Sequence, residues 1–170
     1  YDPGEAAIAI DWLNTTREDT LNTLDWETPT KSTIEPRISW NITRSPFTSG
    51  INADYYAMKA TGKLIVPSGG SWTFGVGSDQ YARLSINGRT VVDDTSSHSY
   101  RWRHGTIDLA EGSYDLELTY MEGWSDAGVF ISWQGPDDQY EQIIPASAFM
   151  PIRERVRVVR WNEIGGDHNR

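Results

Sequence analysis

A chain of 170 residues with 24 acidic and 15 basic side chains, net charge −9, has the size of one domain. It carries the wrong sign for nucleic acid, whose phosphates need a basic field; a cation suits it better. The absence of cysteine removes disulfides, zinc–thiolate sites and thiol nucleophiles. No apolar run reaches the roughly 18–20 residues of a membrane span, so no membrane insertion is expected.

In chain order, Ala7–Trp12 is apolar and compatible with a strand. Thr15–Leu24 is polar and short, enough for one helical turn. Residues 26–54 scatter Pro, Thr and Ser, with a brief strand signal at Ile38–Trp40. Tyr55–Val66 alternates loosely and stops at the turn Pro67-Ser68-Gly69-Gly70. In Ser71–Gly77, Trp72, Phe74 and Val76 share one face with period two. Ala82–Val92 is a hairpin: Asn87-Gly88 supplies two residues tolerant of positive φ between alternating arms, with Leu84 and Ile86 facing in and Arg83 and Ser85 out. A polar stretch follows over 95–105, then a short strand at Thr106–Leu109. Ser113–Met121 alternates cleanly, with Tyr114, Leu116, Leu118 and Tyr120 on one face. Gly128–Trp133 is the next strand, ending at the turn Gly135-Pro136-Asp137-Asp138. Short strands with turn signals every 8–12 residues describe an all-β chain, an antiparallel sandwich or barrel. Residues 1–151 form the expected domain; Ile152–Trp161 alternates again and reads as an extra strand, or as the start of a next domain within 152–170.

Five segments, in order, resemble one family, the β-sandwich domain first named from the anthrax protective antigen (the protective-antigen-fourteen domain). They are Trp72–Gln80, Arg83–Gly88 continued by Val91-Val92-Asp93, Leu109–Tyr114, Tyr120–Gly123 leading into Ala127–Trp133, and Ile144–Pro151. The resemblance covers residues 6–151. It implies an antiparallel β-sandwich with long ligand-binding loops at one end, acting mainly as a ligand-binding module. In the lectin-type members two adjacent acidic residues joined by a cis peptide hold a calcium ion that sugar hydroxyls also touch.

Carried onto this sequence, the resemblance assigns the acidic pair to Asp79 and Gln80. Calcium takes six to eight oxygens at roughly 2.3–2.6 Å, more than one loop supplies. The second half of the cage is expected from Gly123-Trp124-Ser125-Asp126-Ala127, through the carbonyls of Gly123, Ser125 and Ala127, with Asp126 adding a carboxylate or bracing the bend. Tyr81 and Trp124 are the candidates to flank a sugar ring. Gln80 departs from the family pattern: its amide oxygen still coordinates, but one formal charge is gone, which weakens calcium binding.

The expected function is calcium-dependent glycan recognition by a secreted or cell-surface protein, serving adhesion or substrate targeting. The chain reads as a piece excised from a multidomain parent and as a monomer in isolation. A peptide- or protein-binding module and a structural spacer are the rival readings. No catalytic residues are expected: nothing resembles a nucleophile elbow, and with 24 acids some carboxylate pair would suit glycoside hydrolysis by accident. Asp93-Asp94 and Asp137-Asp138 read as solvated turns, with a second, structural calcium as the alternative. His98 and His104 lack metalloprotease spacing and read as part of an ordinary surface loop. Asn14-Thr15-Thr16 and Asn41-Ile42-Thr43 fit the glycosylation pattern but occur often by chance.

Overall fold

The computed structural model describes residues 5–153. The strand expected over Ile152–Trp161 and the arginines past Arg153 therefore lie outside the described residues. Two antiparallel sheets face each other across one apolar core, the sandwich that the turn spacing implied. The first has six strands in the order β2 (Lys31–Glu35), β1 (Ile8–Asn14), β4 (Tyr56–Val66), β9 (Gly112–Glu122), β6 (Tyr81–Ile86) and β7 (Arg89–Asp94). The second runs β11 (Gln142–Ile143), β10 (Ala127–Gln134), β5 (Gly70–Asp79) and β8 (Arg101–Leu109); β3 (Ser39–Thr43) joins it along the other half of β10.

Alternation decides which side chains enter the core. Trp72, Phe74 and Val76 of β5, Leu84 and Ile86 of β6, and Leu116, Leu118 and Tyr120 of β9 are all buried, because residues two apart share a sheet face. Each such side chain contributes roughly 1.5–3 kcal/mol by leaving water. The hairpin forms as its turn residues require: Asn87 and Gly88 have φ of 52° and 75°, and the Asn87 N–H donates to the Asp115 carbonyl at 2.8 Å.

Three segments differ from expectation. Thr15–Leu24 makes two successive turns and no helix. Asp19 Oδ2 accepts from the Thr16 N–H and Thr23 Oγ1 from the Thr20 N–H, both at 2.8 Å, since Thr and Asp offer the backbone local partners that compete with helix. Leu21, Leu24 and Trp26 then cover the outer face of the six-stranded sheet over Leu13, Ala57 and Met121. Residues 26–54 hold β2, β3 and Phe47. Phe47 stacks on Trp40 (5.2 Å, 14°) and on Tyr120 (5.5 Å, 24°), closing one end of the core.

The third difference concerns the polar stretch before Thr106. Its second half is strand and not loop: β8 begins at Arg101, so Trp102 and His104 stand on a sheet and face outward beside Gly77 and Gly75 of β5. Gly105 sits where β8 meets β7. A Cβ there would lie 1.8 Å from the Val91 carbonyl oxygen, so only glycine lets the two sheets approach at this edge.

Candidate functional site

Strand β5 ends at Asp79, and β6 begins two residues later at Tyr81. The chain changes sheets in that step, and the Asp79–Gln80 peptide is cis. Opposite lies the bend between β9 and β10, Gly123–Asp126, in which Ser125 takes φ of 75°. Antiparallel pairing fixes this juxtaposition, because β10 aligns Gly128 with Asp79 and β9 aligns Met121 with Tyr81. The two segments expected to share a ligand are thus neighbours.

Gln80 is buried, and a Cβ placed on Gly123 would come within 3.1 Å of its Oε1. The amide oxygen therefore lies against the bend. Gln80, Tyr81, Gly123 and Trp124 line one cavity of about 170 Å³, together with Thr15 and Glu122. Trp124 is 60% exposed, so it is free to meet a ligand. Tyr81 packs against the cluster of Leu13, Ala57 and Met121 and presents only part of its ring.

Asp79, the first residue of the step, is half-buried. Burial raises its carboxyl above the ordinary range, and the nearby Asp126 carboxylate raises it further; His98 and the Tyr100 N–H oppose the rise. Two carboxylates here repel each other at a partly desolvated position, an arrangement a bound cation relieves. Asp126 meanwhile pairs with the Arg44 guanidinium at 3.1 Å across an exposed surface, a contact of low strength. The Gly123 carbonyl already accepts the Tyr55 N–H at 2.6 Å, which leaves it one lone pair. The Ser125 N–H donates to Asp54 Oδ1 at 3.3 Å. Among the described residues no three His, Cys, Asp or Glu side chains converge, so the donor set rests on two carboxylates and neutral oxygens.

Beneath the step lies a buried polar group that the sequence reading missed. Tyr120 Oη bonds to the Asp79 carbonyl oxygen, lies 3.1 Å from Glu122 Oε2, and accepts the Gly128 N–H at 3.3 Å. Glu122 is fully buried, and its Oε1 has no protein partner. Burial pushes its carboxyl up to about 8; the Tyr120 bond pulls against that, and the charges of Asp79, Asp54 and Asp126 add to it. One phenolic proton cannot serve both the Asp79 carbonyl and a carboxylate. A protonated Glu122 donating to Tyr120 satisfies every contact. The alternation of Tyr114, Leu116, Leu118 and Tyr120 extends by period two to Glu122, the signal that could have found it.

The acidic pairs elsewhere have protein partners. Asp94 is buried and holds Arg101 through two hydrogen bonds, one at 3.0 Å to Nε and one at 2.5 Å to Nη2, while Asp93 lies 3.5 Å from Arg83. Asp93-Asp94 is therefore an ion-paired strand end and not a solvated turn. Asp138 Oδ2 caps the Gly135 N–H at 2.8 Å, as a turn residue does.

Comparison with known proteins agrees with this architecture. A curated relative, the anti-sigma-I factor RsgI3 of Acetivibrio thermocellus, is 28% identical over 119 residues, 69% of this chain and 18% of the relative. The chain thus spans under a fifth of that protein's length. Among solved structures, an anti-sigma factor domain-containing protein superposes with a TM-score of 0.74 at 23% identity, over 86% of this chain and 48% of that one. A PA14 sugar-binding domain from an RTX adhesin superposes with 0.72 at 15% identity, over 86% and 98%. Both share the fold. The PA14 domain family model matches residues 19–147, and with most of its length so matched the chain belongs to the PA14 domain family.

Proposed function

We propose that the domain is a calcium-dependent glycan-binding module with no catalytic role, working in an exported or surface-exposed protein. The observation that carries this reading is the juxtaposition of the cis Asp79–Gln80 step with the Gly123–Ala127 bend. The donor types there suit a hard divalent ion: Asp79 and Asp126 would offer charge, Gln80 a neutral amide oxygen, and the carbonyls of Gly123, Ser125 and Ala127 would supply the remaining protein oxygens. A bound calcium ion supplies open coordination positions for vicinal sugar hydroxyls. Trp124 and Tyr81 flank the opening with aromatic surface suited to a sugar ring, and the PA14 sugar-binding domain of the RTX adhesin gives a precedent in the same fold.

The likeness to an anti-sigma-I factor favours a second reading of what the recognition serves. The same site would report an extracellular glycan to a regulator, in place of fastening a cell or targeting an enzyme. Both uses need the site. The test is binding to a glycan array, with calcium and with chelator: some glycans should be held only with calcium and released by a free monosaccharide. If no glycan is held more tightly with calcium than with chelator, the reading fails.

A further inference from the structure

The outer face of the five-stranded sheet carries a second constellation, two and four residues back along β5 from Asp79. Register places His104, Gly75 and Ser132 in one row across β8, β5 and β10, and Trp102, Gly77 and Phe130 in the next. The two glycines have no side chain to stand up from the sheet. A Cβ on Gly77 would lie 2.5 Å from Trp102 Cε2, and one on Gly75 would lie 2.9 Å from His104 Cδ2. The indole and imidazole therefore lie down over bare backbone. Their planes are within 19° of each other, with centroids 6.1 Å apart, and Tyr100 braces the indole edge-on at 6.5 Å.

Beside these rings is a cavity of about 470 Å³ lined by Trp102, His104, Ser132, Glu141, Gln142 and Ile143. Glu141 is fixed there. Its Oε1 accepts the hydroxyl of fully buried Ser132 and lies 2.8 Å from His104 Nε2. Burial pushes the Glu141 carboxyl up, but these two contacts outweigh it and hold the group below its ordinary range, so it stays an acceptor at neutral pH. Gln142 is exposed at the rim and brings an amide that both donates and accepts.

Flat rings beside a few convergent polar groups are what a sugar ring requires, its apolar face stacking and its hydroxyls bonding at the edge. We propose that this face is a second glycan site, independent of calcium, in which Trp102 and His104 stack against a pyranose while Glu141 and Gln142 hold its hydroxyls. The occupant is an internal segment of a neutral polysaccharide. An open sheet face admits a continuing chain, and neither the anionic Glu141 nor a net charge of −9 favours an acidic glycan.

The test is native affinity electrophoresis in chelator, through gels containing a soluble β-1,4-glucan derivative, a xylan or a galactomannan. Retardation by at least one of them is expected, with Trp102→Ala weakening it about tenfold or more, a loss of about 1.4 kcal/mol. Circular dichroism shows whether that variant folds; if it does not, His104→Ala and Glu141→Gln take its place, each expected to reduce retardation. The proposal is overturned if no polysaccharide retards the chain in chelator, or if the folded variants migrate as wild type does. Retardation that appears only with calcium would also overturn it, while supporting the Asp79 site.

Discussion

In the metal-free chain, Glu122→Gln should remove a fall in stability that the wild type shows between about pH 4.5 and pH 8. The unfolded carboxyl releases its proton near 4.5, whereas burial keeps the folded one protonated up to about 8. Within that window the native state binds more protons than the unfolded state, so unfolding free energy declines as pH rises, by up to roughly 1.4 kcal/mol per unit, and levels off above. Glutamine has the shape of the protonated acid and its amide can donate to Tyr120 Oη in the same way. Chemical denaturation in chelator at pH 5 and pH 8 should therefore show the variant about 2–4 kcal/mol more stable than wild type at the higher pH and similar to it at the lower. Parallel curves at both values would mean that Glu122 is ionised in the folded chain.

Gly105→Ala should cost about 3 kcal/mol. Its Cβ would overlap the Val91 carbonyl oxygen at 1.8 Å and the carbonyl carbon at 2.8 Å, which are backbone atoms with no rotamer to change. Relief requires β7 and β8 to separate, and β8 carries Trp102 and His104. Gly69→Ala is the control, because its Cβ would meet its neighbours at an ordinary 3.6 Å and the expected change is within about 0.5 kcal/mol. Thermal melts of the two variants beside wild type decide the matter: equal midpoints for Gly105→Ala would show that the sheet edges yield freely.

How much of this was legible in the sequence depended on where a strand lies. β5, β6 and β9 have one face in the core, so Trp72, Phe74, Leu84, Leu116 and Leu118 recur with period two and the pattern declares itself. β2 is a short strand at a sheet edge whose residues are only half-buried or exposed, and no alternation survives there. The first half of β8, before Thr106, hid for another reason. Its outward residues are Trp102 and His104, aromatic where a solvent face should be polar, and its inward-row Arg103 is exposed at the edge, so the period reads backwards.

The site divided along the same line. Family resemblance located Asp79, Gln80 and the bend, and pairing brought them together. Asp54 and Arg44, which touch that bend across 71 and 82 positions, come from the stretch with no readable pattern. Contacts of that separation belong to topology, and only the folded chain reveals them.

The most direct measurement is a calorimetric titration of calcium into metal-free protein, wild type beside Asp79→Ala. One ion per wild-type chain is the expected result, with binding to Asp79→Ala lost or weakened about 100-fold, and a wild-type gain in stability of about 2.7 kcal/mol once calcium exceeds its dissociation constant a hundredfold. Absence of binding heat in the wild type at millimolar calcium, or equal affinity in the two proteins, would contradict a shared ion between Asp79, Gln80 and the 123–127 bend.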